Sequence, residues 1–411
     1  MLKYLRNLHP LAINILVGTM FGRMATSMSI PFLAIYLTQV KHVSASQTGM
    51  IIAVSSLVGI TTSFAGGYLS DRFGRKIVLY SSVFLWAAVF VIFGLAQSVA
   101  GFFLANALNG FCRSVFEPAS RALLADLTEP KNRLTIFNLR YTAINVGVIF
   151  GPMLGFYFGS STTTFLFFIA AGVYVLYGLS LMLTYSKTGY QPSHADAAGS
   201  KQAGFSEAAK AVREDKVLLM SILGIILATT GFAQFNSTLP QYLSMEYGQN
   251  KGAGMFSAFL ILNAVTVISL QYPLLSIGKK YSPIFSIIVG NLVCALGVFA
   301  FSLAGSIPVW GAVIFLFTIG EILMFSMTDA FIDSIAKSDL RGTYFGAMGF
   351  TQIGNIVGPS LGGFLLDYFG YGDTVTVFGL LAGLSLLGVP VLYAVKLAMA
   401  RRLNQQRSEA G

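Results

Sequence analysis

The 411-residue chain predicts an all-α polytopic membrane protein, with twelve transmembrane helices in two pseudo-symmetric six-helix halves. Three observations lead there. Apolar runs long enough to cross a bilayer recur from end to end, and the chain is 55% hydrophobic and only 10% charged. A soluble chain carries about 25% charge. The basic residues gather on alternate connections between the apolar runs. Glycine and proline patterns of the first half return in the second.

A span needs about 20 apolar residues. In order, the runs are 11–37, 46–69, 77–97, 99–125, 136–158, 163–184, 217–245, 253–277, 283–304, 309–335, 343–366 and 374–399. A polar stretch with His194 and alternating charges separates the sixth from the seventh. Its second part, Phe205 to Lys216, has the pattern of an amphipathic surface helix. The expected division is therefore an N-terminal half at 1–184, a cytoplasmic linker at 185–216 and a C-terminal half at 217–411.

Of the 26 lysines and arginines, twenty fall on the termini, on even-numbered connections or, for Lys396, at the cytoplasmic end of the last run, and only Lys41 and Lys251 on the odd connections. The other four, Arg23, Arg113, Arg121 and Arg140, lie within spans. This bias places both termini in the cytoplasm and the chain in the cell membrane. The net charge of +10 is thereby a topology signal, and no nucleic-acid partner is expected. Lys3 and Arg6 precede the first run without a small-residue cleavage site, so that end reads as a tail before a retained helix. Cys112 and Cys294 sit in separate apolar runs, which argues against a disulfide framework.

The repeats are specific. Gly22 and Pro31 share their spacing with Gly231 and Pro240. Gly147, Gly151, Pro152 and Gly155 in the fifth span are echoed by Gly354, Gly358, Pro359 and Gly362 in the eleventh. Gly74-Arg75-Lys76 after the second span is echoed by Gly278-Lys279-Lys280 after the eighth, where Leu275 stands in the place of Asp71. Gly147, Gly151, Pro152, Gly358 and Pro359 are the expected helix-packing positions, because glycine allows close approach and proline loosens the ladder.

The run Gly67-x-Leu69-Ser70-Asp71-Arg72-Phe73-Gly74-Arg75-Lys76 resembles the signature that the major facilitator superfamily carries between its second and third helices. The fifth-span run Gly147 to Gly155 resembles a motif of that family's drug:proton antiporter branch. Gly320-Glu321 is similar to the acidic site of some multidrug antiporters. The resemblance covers about the whole chain and implies the major facilitator fold. There is one departure. The branch usually has an arginine four residues before a glycine early in the fourth helix; here Asn106 precedes Gly110, and the nearest base is Arg113.

Three sets of residues carry the candidate chemistry. The first is a cytoplasmic gate of Gly67, Asp71 and Arg75. An acid at a helix C-terminus is badly placed for its own dipole and gains nothing from the positive-inside rule. Asp71 must find another partner. The resemblance implies the start of the eleventh helix, near Gly342 and Thr343, as a latch. Arg72 and Lys76 read as topology determinants.

The second set is Arg113, Glu117 and Arg121, at i, i+4 and i+8 on one helical face, together with Arg23 and Arg140. Arg23 is expected to pair with Glu117. Glu117 reads either as a proton carrier or as the centre of a static charge network.

The third set is Glu321, mid-span with no base near it in sequence, followed by Asp329 and Asp333 along the same helix. An intramembrane acid marks function by default, and proton coupling needs a carboxyl that alternates between charged and neutral. Asp329 is a candidate relay, and Asp333 is expected to be solvated at the cytoplasmic mouth. Met24, Met28, Gln234, Phe235 and Asn236 are the expected substrate-cavity lining, from a methionine stripe and a polar-aromatic stripe.

The expectation is a secondary active transporter, exporting amphiphilic small molecules by alternating access. It would use the proton gradient and no bound cofactor. Its partners would be substrate, protons and the bilayer, and it would act as a monomer. The alternative cargo is an anionic or zwitterionic metabolite such as a peptide or siderophore, bridging first-half arginines and second-half acids. A membrane-embedded enzyme is disfavoured: His9, His42 and His194 are scattered, and no phosphate loop or metal set is evident. A passive channel is disfavoured because no filter element is present.

Overall fold

An unpartnered backbone group in hydrocarbon costs several kcal/mol, so long apolar runs close their hydrogen bonds as helices. The computed structural model describes residues 8–37, 41–43, 45–158, 164–190, 205–278 and 281–409, and every regular element among them is helical. The first half contributes α1 (Pro10–Ile35), α2 (Ala45–Phe73), α3 (Arg75–Leu95), α4 (Val99–Asp126), α5 (Arg133–Phe158) and α6 (Phe165–Thr188). A short amphipathic helix, α7 (Phe205–Glu214), follows, with Ala208 and Val212 buried and the Phe205 ring edge-on to Phe64 and Tyr68 of α2. The second half holds α8 (Lys216–Phe232), α9 (Thr238–Tyr247), α10 (Gln249–Gly278), α11 (Pro283–Ala300) and α12 (Ile307–Ile335). It ends with α13 (Arg341–Ala347), α14 (Gly354–Phe369), α15 (Thr374–Leu386) and α16 (Gly388–Glu409).

Eleven helical stretches among the described residues are long and apolar enough to span a bilayer. The eleventh run of the sequence is divided. It comprises the seven-residue α13, a 3-10 stretch at Met348–Ile353, and the sixteen-residue α14. A tightened turn frees carbonyl groups, and here the Thr229 hydroxyl donates to Thr351 O at 3.2 Å. The seventh run is divided likewise, with a 3-10 stretch at Ala233–Asn236 before α9. Pro240 lacks the N–H that would close the helix onto Asn236. The buried Gln234 amide spans the break, donating to Thr230 O at 2.7 Å and Gly358 O at 3.0 Å.

The chain forms two compact units. One is Met1–Val212 with Ala336–Gly349, and the other is Arg213–Ile335 with Phe350–Gly411. The units are thus not two uninterrupted runs, because α13 packs into the first on α2 and α4. The first unit is built on the pairs α2–α4, α1–α5, α3–α4 and α3–α6. Its centre is aromatic: the Tyr174 ring stacks on Trp86 at 4.8 Å and on Phe90 at 5.5 Å. The second unit packs α11 on α12, and α8 on α14 and α16. Its core gathers Phe235, Phe301, Trp310, Phe317 and Phe378.

The glycine echo has a structural counterpart. A methyl at Gly147 would meet Met20 O at 2.4 Å, and one at Gly151 would meet Ser27 Oγ at 1.9 Å, both on α1. In the second unit a methyl at Gly354 would meet Thr229 Oγ1 at 2.0 Å, and one at Gly358 would meet Thr230 O at 2.7 Å, both on α8. The same two-helix contact is built once in each unit. Backbones meet this closely only where no side chain intervenes. α5 runs through Pro152, and Pro359 lies inside α14.

Candidate functional site

The Asp71 carboxylate lies at the end of α2, where its own helix dipole repels it. It turns instead to the start of α13. Asp71 Oδ1 accepts from Gly342 N at 2.9 Å, and Oδ2 accepts from Thr343 N at 2.6 Å and from the Thr343 hydroxyl at 2.7 Å. It thus satisfies two otherwise orphaned N–H groups of that helix. Arg75 Nη1 donates to Oδ1 at 2.5 Å, and Arg75 Nε donates to Asp126 Oδ2 at 3.2 Å. Arg341 Nη1 then donates to Asp126 Oδ1 at 2.9 Å. Asp71, Arg75, Asp126 and Arg341 alternate in charge along one chain of contacts. Asp126 and Arg341 were missed in the sequence, although Asp126 shows the same signal as Asp71, an acid at the end of a span on the basic side.

Gly67 makes this clasp possible. A methyl there would fall 2.0 Å from Gly342 O and 2.7 Å from its carbonyl carbon. Those are backbone atoms, so α13 itself would have to move. We expect Gly67→Ala to destabilise the unit by about 1–3 kcal/mol, the usual cost of overpacking. A lowered thermal midpoint with normal membrane insertion checks this, and an unchanged midpoint would show that the contact gives way freely.

Glu117 forms a second centre, on α4. Arg23 Nη2 donates to its Oε1 and Arg140 Nη2 to its Oε2. Arg121 Nη2 lies 3.7 Å from Oε2. Glu117 and Arg140 are buried, Arg140 to 1% exposure. One carboxylate therefore binds α1, α4 and α5 by charge-assisted contacts. Arg113 directs its guanidinium towards Gly59 of α2 instead. At the departure site, Asn106 Nδ2 donates to Ile51 O at 2.6 Å, while Asn109 joins Asn106 to Trp86. Asparagines here link helices where an arginine was the family expectation.

Glu321, in α12, is buried in the second unit. Asn263 Nδ2 of α10 donates to its Oε2 at 2.6 Å and to Thr318 Oγ1 at 3.0 Å. The partner on this oxygen is thus a neutral amide and not a base. Asp329 is half-buried further along α12, and Asp333 is buried, not solvated as expected.

The cavity residues separate. Asn236 is exposed and Met24 half-buried. Gln234 and Phe235 are not at an open surface but inside the second unit. Gln234 bridges the broken helix, and Phe235 stacks on Phe317 at 5.0 Å. Met28 is buried at the α1–α5 contact, where its carbonyl lies 2.8 Å from the methyl position of Gly155. These three were misplaced because a polar or methionine stripe marks a packed seam as readily as a lumen.

The family model of the Major Facilitator Superfamily matches residues 15–352. An uncharacterised MFS-type transporter of Bacillus subtilis, YqjV, is 46% identical over 407 residues, covering 99% of this chain and 98% of that protein. A Na(+), Li(+), K(+)/H(+) antiporter of Planococcus maritimus is 27% identical over 395 residues, covering 90% and 92%. Multidrug resistance protein 1 of Bacillus subtilis is 26% identical over 345 residues, covering 82% and 86%. Among solved structures, the Escherichia coli fucose:proton symporter FucP aligns with a TM-score of 0.71 at 14% identity, covering 93% of this chain and 99% of that one. The chain belongs to the major facilitator superfamily, a family of multi-pass membrane transporters rather than enzymes.

Proposed function

We propose that this transporter is a proton-driven antiporter of the cell membrane, with both termini cytoplasmic, that exports amphiphilic small molecules. The observation that carries the reading is Glu321, a carboxyl buried mid-helix beside Asn263 and Thr318. Intramembrane acids mark ion pathways. Glu321 is the proton-carrying group, and Asp329 lies further along the same helix towards Asp333 as a relay. Glu117, with an arginine on each oxygen, is the centre of a fixed charge network. The Asp71–α13 clasp is the contact that must release during the cycle. No bound cofactor is needed, because the proton gradient supplies the energy.

Support for the cargo is the likeness to Multidrug resistance protein 1. A second cargo is favoured by a separate observation. The Planococcus relative is named as an alkali-cation/proton antiporter, and the Glu321 carboxylate and the Thr318 hydroxyl, bridged by the Asn263 amide nitrogen, are oxygens of the type that bind hard cations. Glu321→Gln is expected to cut gradient-driven transport at least tenfold while leaving folding intact. In inverted vesicles, dye efflux and Na(+)-induced proton release are measured side by side. Loss of the first alone favours amphiphiles, and loss of the second alone favours cations. Undiminished coupling in both would remove Glu321 from the proton path.

A further inference from the structure

Inside the first unit, α1, α3, α4 and α6 line a small, half-open cavity with Thr19, Arg23, Trp86, Glu117, Tyr174 and Tyr177. Most polar groups around it are already engaged. Trp86 Nε1 donates to Asn109 Oδ1 at 2.7 Å, and the Tyr174 hydroxyl donates to Gly22 O at 3.1 Å. Two groups are not. The Thr19 hydroxyl and the Tyr177 hydroxyl are both buried, at 3% and 6% residue exposure, and neither has a hydrogen-bond partner among the described residues. A buried hydroxyl without a partner is costly, and two on residues that line one cavity point to a shared ligand.

The cavity is too small for an amphiphilic substrate and has room for about one water. A water needs two to four polar partners. The lining supplies the two hydroxyls and the Glu117–Arg23 pair. A carboxylate has about four acceptor positions, so Glu117 retains capacity beyond its arginine contacts. Gly18 sets the width of the space, since a methyl there would fall 1.9 Å from the Tyr177 ring.

We propose that this cavity is a binding site for one buried water, which joins the hydroxyls of Thr19 and Tyr177 to the Glu117–Arg23 pair. The water extends the charge network from α1 and α4 to α6. It also places an exchangeable proton beside Glu117, whatever the cargo and whichever acid carries the coupling proton.

Two measurements on the full chain in lipid test this together. Infrared spectra in H2(16)O and H2(18)O are expected to show an isotope-sensitive water band that is lost in Thr19→Val and in Tyr177→Phe. A double-mutant cycle on thermal midpoints is expected to show each substitution lowering the midpoint and the pair coupling non-additively, although the two hydroxyls share no direct bond. An absent or unmoved band overturns the site. So does an additive cycle in which each substitution raises the midpoint, because removing an unpaired hydroxyl from a dry void relieves it. Both substitutions are near-isosteric, and either alone that folds suffices for the band.

Discussion

Replacing Glu117 by glutamine is expected to destabilise the first unit by about 3–5 kcal/mol, the cost of leaving buried charge without its partner. The mechanism is specific. Arg23 and Arg140 each direct a guanidinium nitrogen at one oxygen of this carboxylate, and Arg121 lies 3.7 Å from Oε2. Glutamine keeps the shape, so no cavity is made. It removes the negative charge and points an amide N–H₂ at one of the bases. Arg140 is fully enclosed and cannot recover hydration. Thermal unfolding of the purified protein reads the loss. Adding Arg140→Met to Glu117→Gln is expected to recover part of it, because the second change removes the stranded charge. A Glu117→Gln variant as stable as the parent would mean that the arginines find other partners, and the network would not be what joins α1, α4 and α5.

Replacing Asp71 by asparagine is expected to lower transport tenfold or more with a modest loss of stability. Asp71 accepts four hydrogen bonds, all from donors. Asparagine turns one acceptor into a donor, so at least one N–H of α13 or the Arg75 guanidinium faces another donor. Charge-assisted hydrogen bonds contribute about 1.5–3 kcal/mol each, which is ample to shift the population of a clasped state tenfold. Fluorophores placed on α2 and on α13 would report a more open clasp. Full transport with an intact clasp signal would show that the contact serves packing alone.

Much of this fold was legible because a bilayer leaves few choices. Apolar length, charge asymmetry and the Gly-Pro echo each report on one constraint, and together they located the helices. The breaks at Ala233–Asn236 and Met348–Ile353 were not legible. Pro240 is a local signal for the first, but the bonds that hold each break join residues far apart in the chain: Gln234 donates to Gly358 O and Thr229 to Thr351 O. The Glu117 network was readable where it is local, through Arg121 at i+4, and through the rule that a mid-span arginine needs a partner, which pointed to Arg23. The Asp71 partners Gly342 and Thr343 came from the family resemblance. Asp126 carries the same local signal as Asp71, but its partner Arg341 lies 215 residues away, and no local pattern marks that pairing. Gln234 and Phe235 show the converse error, a polar-aromatic stripe that the packed core had already absorbed.

The central claim is that proton movement through this transporter drives cargo the other way. Purified protein in sealed liposomes, given an imposed pH gradient of either sign, tests it most directly, with a cationic dye and alkali cations as cargo and an internal pH reporter. The account predicts cargo flux that reverses when the gradient is reversed, opposite proton flux, and loss of both in Glu321→Gln. Cargo flux of equal rate with and without the gradient would contradict it.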